Sequence, residues 1–323
     1  VISLKNKLKP GRGVVIGIPF MWLLILFLIP FLIVFKISFA EQELSIPPYT
    51  PLFQLNSETG KQELFISYLN YQDIFAHFGA TLKEMLHLGT NTGDNNIYIR
   101  TYWMSLKTAF NTTVICLLLG YPMAYAISRT NPKYRNSLLL MIMLPFWTSF
   151  LLRVYAWMGL LSSNGIINNA LIKWGIINQP LEMFYNSFSL NLVMVYAYLP
   201  FMILPLYTQL IKLDHRLLEA ASDLGASPIK SFLTITLPLS KVGIIAGSML
   251  VFIPAVGEFV IPDLVGGSNN LMIGRTLWMA FFDLNNWPLA SALAVMMVAL
   301  LVVPIVLFQY HENRAIEEGK DGA

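Results

Sequence analysis

Long apolar runs alternate with short polar stretches along this chain, and the runs share one length. They extend from Val14 to about Phe35, Met104 to Ile127, Leu138 to Leu161, Leu190 to Leu210, Val242 to Pro262 and Leu289 to Phe308. Each is close to the ~20 residues that a helix rising about 1.5 Å per residue needs to cross a hydrocarbon core. The pattern predicts an all-α polytopic membrane protein with six transmembrane helices in a domain spanning 14–309. A short N-terminal segment, 1–13, and a polar tail, 310–323, flank it. The first run is too long for a signal-peptide core and shows no small-residue cleavage site, so it reads as a retained span. The most polar stretch is the loop 36–103: Ile46–Pro51 reads as extended, Asn70 opens a short helix, and Thr90–Asn96 is turn-rich.

Composition agrees. Hydrophobic residues make up 56% of the 323 and charged residues 12%, with a mean hydropathy of +0.61. Soluble domains carry about 25% charged residues. The net charge of +3 is too small to argue for nucleic acid. Its distribution says more: Lys5, Lys7, Lys9, Arg12, Arg129, Lys133, Arg135, Lys212, Arg216, Lys230, Lys241, Arg314 and Lys320 fall on one side of six spans. By the positive-inside rule that side is cytoplasmic, which puts both termini and the segment 212–241 in the cytoplasm and the loop 36–103 outside. A lone cysteine, Cys116, excludes an intrachain disulfide and a cysteine metal site. The four histidines, His77, His87, His215 and His311, have no metal-ligand spacing, so no metal and no bound cofactor is predicted. Gly225–Ser231 lacks the second glycine of a phosphate loop and carries Pro228 where free backbone donors are required. ATP is therefore not expected to bind in that fashion.

The segment between the fourth and fifth runs is not a slack loop. Asp214 is placed to cap a short helix with Leu217, Ala220, Ala221 and Leu224 on one face. Gly225 supplies a left-handed stop. Ser227 and Pro228 open a second short helix, with Ile229, Phe232 and Leu233 on its apolar side and Pro238 expected to close it. Two short helices joined at a glycine make a knob suited to a socket on another protein.

In the fifth run, Gly243 and Gly247 form a small-xxx-small pattern, more suited to close packing than to gating. At about 100° per residue, Gly243, Gly247, Val251, Pro254 and Glu258 share one side of the helix, which turns Glu258 toward protein. An ionisable group within a membrane is a functional candidate. Arg153 lies at a similar depth, roughly 22 to 24 Å from the cytoplasmic end. A structural ion pair between Arg153 and Glu258 and a substrate-cation role for Glu258 both stand open. Asp263 and Asp283 read as acids near the outer surface. Trp147, Tyr155, Trp157, Tyr196 and Tyr198 offer a cation a π-face or act as interface aromatics. Pro145, Pro200, Pro205 and Pro254 interrupt spans, which is tolerated where backbone lines an enclosed cavity.

The order Glu219-Ala220-Ala221, three residues, Gly225, nine residues, Ile235, one residue, Leu237-Pro238 resembles the cytoplasmic coupling signature of ABC-importer permeases. The resemblance implies a type I importer permease fold in a bacterial inner membrane. It further implies a second permease subunit, two copies of a cytoplasmic ATP-binding subunit that holds ATP and Mg, and an external binding protein. Glu219, Ala220, Ala221, Asp223 and Gly225 would contact the ATPase. Residues 144–157, 196–202 and 252–267 resemble the polyamine branch of that family, and 30–38 and 46–50 its putrescine permeases. Glu258, Asp263, Trp147, Tyr155, Tyr196 and Tyr198 are the expected residues of a putrescine path. Spermidine or another small solute of the same importer class is the alternative cargo. A secondary transporter has no use for the knob, and no nucleophile–base pair or metal cluster points to a membrane enzyme.

Overall fold

A computed structural model describes residues 12–51, 53–55, 62–85, 96–214, 216–302 and 306. Lys5, Lys7, Lys9, Lys320, Arg314, His87, His215, His311, residues 90–95 of the turn-rich loop and the tail 310–323 lie outside the described residues. The rest divides into two compact units. One is Gly79–Thr276; the other combines the described residues up to Phe78 with those from Leu277 onward.

Helix α1 (Arg12–Ile37) has an apolar window in which no residue is buried in the chain, the condition of a lipid-facing span. Phe27, Phe31, Phe35 and Phe39 follow one another at four-residue spacing, with ring centroids 6.2, 6.4 and 5.2 Å apart. The stretch 46–51 is not extended as the prolines implied. Gln42 bridges to Tyr49, and the Ser45 hydroxyl donates to the Pro47 carbonyl at 2.7 Å, folding the chain back. Strands β1 (Phe53–Leu55) and β2 (Gln62–Leu64) pair antiparallel with Gln54 opposite Glu63. Helix α2 (Leu69–Phe75) follows as expected from Asn70, whose side-chain amide donates to the Ser38 and Ala40 carbonyls at 3.2 and 2.8 Å. Helix α3 (Phe78–Met85) leads into the other unit.

That unit is built on α4 (Ile97–Arg129), which begins at Ile97 because the Asn96 side chain accepts from the amides of Tyr98 and Ile99. Helix α5 (Pro132–Met143) starts the third predicted span but does not complete it. Pro145 has no amide hydrogen, and the chain tightens into a 3₁₀ turn at Leu144–Trp147. The Thr148 amide and hydroxyl both turn back onto the Pro145 carbonyl, at 3.2 and 2.7 Å. Helices α6 (Phe150–Leu161) and α7 (Ile166–Lys173) resume the run. The segment long enough to cross is Phe150–Lys173 rather than 138–161. Helix α8 (Ser187–Leu210) carries Pro200 and Pro205 inside it and starts from a reciprocal Asn186–Ser189 cap. Helices α9 (Arg216–Asp223), α10 (Pro228–Ser231) and α11 (Leu237–Leu239) form the knob. Helix α12 (Lys241–Val256) ends at Gly257, and α13 (Val260–Val265) and α14 (Ile273–Trp278) follow, so the fifth predicted span, 242–262, is broken before its end.

Helices α4, α8 and α12 pack together around Met202, which is completely buried. Glycines make the close approach possible. A Cβ on Gly120 of α4 would lie 3.1 Å from Met202 Cγ, and one on Gly247 of α12 would lie 2.8 Å from Met202 Sδ. Gly243 likewise rides on Pro205 and Gln209 of α8. The small-xxx-small pattern is thus a packing device within one chain.

In the unit that contains α1 the chain continues through a wide turn at Met279–Asp283 to the apolar helix α15 (Trp287–Val302). Trp287 stacks on Phe281 at 5.0 Å and meets Tyr49 at 6.3 Å, and the Gln42 amide donates to the Leu284 carbonyl at 3.3 Å. Among the described residues four segments are long and apolar enough to cross a membrane, and the bent pair Pro228–Leu239 and Lys241–Val256, with 64° between its halves, makes a fifth if it is one span.

Candidate functional site

The knob opens as its sequence predicts. Asp214 Oδ1 accepts from the Arg216 amide at 3.0 Å, placing a fixed acceptor at the start of α9. The helix stops at Gly225, whose φ is +79°. There the Ala226 amide donates to the Ala221 carbonyl and the Gly225 amide to the Ser222 carbonyl, both at 2.9 Å, the paired bonds of a Schellman stop. A Cβ at Gly225 would meet nothing within 4 Å, so glycine is required by the backbone and not by space. Ser227 Oγ accepts from the Lys230 amide at 3.3 Å to start α10. Glu219, Ala220, Asp223 and Gly225 are exposed, and Ala221 is half-buried.

Pro238 does not close the second helix. The turn Phe232–Thr236 widens, with the Leu237 amide reaching back to the Phe232 carbonyl, which accommodates the proline ring and carries helix on to Leu239. The tip is apolar and bare: Leu224 is 89% exposed and Ile229 74%. The base is fixed. Phe232 meets the rings of Tyr121 and Tyr125 edge-on at 5.5 and 6.0 Å, and Tyr121 Oη lies 2.8 Å from Ser240 Oγ. Gln209 Nε2 donates to the Leu239 carbonyl at 3.3 Å. Ser240 is also the corner at which the chain bends 64° into α12.

Helix α12 leads to Glu258, in the gap between α12 and α13. One carboxylate oxygen, Oε1, accepts from the amides of Phe259 and Val260 at 3.1 and 3.0 Å, satisfying donors that the broken helix leaves free. The other, Oε2, accepts from the Tyr198 hydroxyl of α8 at 2.6 Å. Tyr198 is buried and Glu258 is partly exposed. Gly274 of α14 presses on the same gap, since a Cβ there would lie 2.5 Å from the Gly257 carbonyl oxygen.

The ion pair between Arg153 and Glu258 is not formed. The Arg153 guanidinium lies over the Phe146 ring at 4.6 Å and near Phe150 at 5.6 Å, and its Nε is buried without a hydrogen-bond acceptor. Phe146 meets Phe201 edge-on at 5.2 Å, and Phe201 neighbours Tyr198 at 6.3 Å. Similar depth does not bring the charges together: Arg153 packs on Phe146 and Phe150, while Glu258 is held by Tyr198. Asp263 is engaged by Arg275, Oδ1 to Nε 2.9 Å, which ties α13 to α14.

The matches to known proteins converge on one family. Residues 116–317 fit the family model described as the inner membrane component of binding-protein-dependent transport systems. The chain belongs to that family. It is 36% identical over 305 residues to the spermidine/putrescine transport system permease protein PotB of Haemophilus influenzae, covering 94% of this chain and 95% of that one. It is 38% identical over 212 residues to PotB of Escherichia coli, covering 66% of this chain and 77% of the relative. Among solved structures, a bacterial ABC transporter that imports the acidic polysaccharide alginate aligns with a TM-score of 0.57 over 92% of this chain and 93% of that one, at 18% identity. The fold is that of a type I ABC-importer permease, and the relatives are transport subunits rather than enzymes.

The family match spans both the knob and Glu258. Of the residues singled out from the sequence, the fold joins Tyr198 to Glu258 and Tyr196 to Trp157. Trp147 and Tyr155 are exposed on the interrupted third segment. Tyr196 meets Trp157 edge-on at 5.4 Å and lines an apolar cavity of about 520 Å³ with Pro145, Phe146 and Ile203. Tyr121, Ser240 and Phe232 at the base of the knob, and the ring pair Phe146 and Phe201, were not read as a set. A signal existed only for Phe232, whose place on the apolar side of the second short helix predicted burial against a neighbour.

Proposed function

We propose that this chain is the membrane-spanning permease of an ATP-driven polyamine importer with putrescine as its preferred cargo, and that it couples to a separate ATPase through residues 214–238. The exposed, rigidly capped knob carries this reading: its apolar tip is bare, its base is bolted to α4, and its far end continues at Ser240 into the helix that leads to Glu258. Glu219, Ala220, Ala221, Asp223 and Gly225 form the contact with the ATPase, which holds ATP and Mg. A second permease subunit, two ATPase copies and an external binding protein complete the assembly. The reading has six spans, from the apolar runs, with both termini and the knob cytoplasmic, which the Lys and Arg distribution supports. Among solved relatives of the fold, the alginate transporter has been seen in complex with a periplasmic protein, which supports the binding-protein partner.

Polyamine cargo is supported by the two relatives, which are permeases of spermidine/putrescine transport systems. The strings 30–38 and 46–50 favour putrescine. The substrate path runs past Glu258 and Tyr198, with Asp263, Trp147, Tyr155 and Tyr196 as further members. The test is uptake of labelled putrescine and spermidine into vesicles holding the full complex. ATP-dependent uptake with putrescine preferred is expected. Uptake driven by an ion gradient without ATP would overturn the coupling, and a preference for spermidine would overturn the cargo order.

A further inference from the structure

Glu258 is already a hydrogen-bonded side chain before any substrate arrives. A carboxylate has about four acceptor positions. Three are filled here, two on Oε1 by the Phe259 and Val260 amides and one on Oε2 by Tyr198. The free position is therefore on Oε2. The phenol oxygen of Tyr198 spends its hydrogen on Glu258 and so keeps its own lone pairs for an incoming donor. Two acceptor oxygens then sit 2.6 Å apart, one of them anionic, with neither free to rotate away. The backbone amides hold the carboxylate, Gly274 holds the backbone, and burial in the α4–α8–α12 packing holds the Tyr198 ring.

We propose that Tyr198 Oη and Glu258 Oε2 form a two-acceptor cradle for one protonated amine of the substrate, with Tyr198 both a contact and the residue that positions the carboxylate. This rests on the polyamine reading above and adds how the amine is recognised. The cradle requires a cation that donates N–H bonds, so a primary ammonium fits it. A quaternary ammonium of the same charge does not, because it brings no hydrogen for either oxygen. Arg153, packed on Phe146 and Phe150, does not compete for the carboxylate.

Gln is the informative replacement at Glu258. Its single oxygen can still accept from the Phe259 and Val260 amides, and its NH₂ group can donate to Tyr198, so the helix restart and the contact survive. Charge and the free acceptor are lost. The experiment measures equilibrium binding of putrescine and of its permethylated bis-quaternary analogue to the detergent-solubilised permease–ATPase complex without the binding protein. The wild-type complex is expected to prefer putrescine by about ten-fold or more, the loss expected when hydrogen bonds to a charged group go unmade. Tyr198→Phe, which removes one of the two acceptors, should weaken putrescine binding by about ten-fold and narrow the preference, and Glu258→Gln should weaken it by about ten-fold and bring the two ligands close to parity. The thermal midpoint of the Glu258→Gln complex should stay at the wild-type value, and this variant carries the test if Tyr198→Phe does not assemble. Equal binding of both ligands by the wild-type complex, or an undiminished preference in Glu258→Gln, overturns the cradle while leaving polyamine import standing. A wild-type complex that neither binds nor imports putrescine overturns both.

Discussion

Tyr121 of the long helix α4 and Ser240 at the corner below α12 meet through their hydroxyls at 2.8 Å, although 119 residues separate them. The contact fixes the base of the knob to the membrane helices, so a push on the knob is delivered to α4 and α12 together. Removing one hydroxyl forfeits about 1 kcal/mol; the Ser240 hydroxyl also donates to the Leu237 carbonyl at 3.0 Å and keeps that bond when Tyr121 is changed. Tyr121→Phe and Ser240→Ala are expected to lower the thermal midpoint of the complex slightly and to reduce putrescine imported per ATP hydrolysed. In a double-mutant cycle on stability the two should be non-additive by roughly 0.5 to 1.5 kcal/mol. Strict additivity would show that the contact transmits nothing.

Gly225 makes a cleaner separation between backbone and space. Its φ of +79° strains any side chain, while a Cβ there touches nothing. Gly225→Ala should therefore lose only about 1 kcal/mol of local stability and keep partial uptake. Gly225→Glu adds charge to the docking surface and should abolish uptake while the protein still inserts. Normal uptake together with normal co-purification of the ATPase would remove the knob from the coupling model.

The separation of Arg153 from Glu258 gives the third expectation. Were they paired, neutralising one would strand the other at roughly 3 to 5 kcal/mol, and a second neutralisation would restore assembly. Arg153 is instead accommodated by Phe146 and Phe150. Arg153→Met trades a cation–π contact of roughly 0.5 to 2 kcal/mol against relief of a buried unsatisfied Nε, and should change stability little. Combined with Glu258→Gln it should not rescue uptake. Rescue would mean that the two charges pair at some stage of transport.

Sidedness is open to labelling. Leu44 is fully exposed in the loop after α1, and Asn131 is exposed at the turn between α4 and α5. With an impermeant thiol reagent on intact cells, Leu44→Cys should react and Asn131→Cys should not. The native Cys116 is buried and should stay silent. The opposite pattern would invert the orientation and place the knob on the wrong face for an ATPase.

Asp214, Gly225 and Ser227 needed no tertiary knowledge, because each acts within four residues of itself through a cap or a left-handed stop. Apolar length likewise marked α1, α4 and α8, since a lipid-crossing helix satisfies its backbone internally. The interruption at Pro145 was legible from the proline, whereas the end of α12 at Gly257 was not. Hydropathy runs on through a break, while the hydrogen-bond ladder does not. Glu258 meets Tyr198, but not by the helical wheel, since α12 ends at Val256 and Pro254 of the same predicted side is exposed. Rise per residue gives depth along a helix. It does not say which neighbour lies across the gap, and Tyr198, sixty positions earlier, and the Phe146–Phe201 ring pair come from other helices. The apolar runs and the caps of the knob were therefore legible in the sequence alone, through forces that act locally or through the solvent. The cradle at Glu258, the isolation of Arg153 and the bolt from Tyr121 to Ser240 were decided only when three helices packed around Met202, because that packing sets the rotation of each helix about its axis.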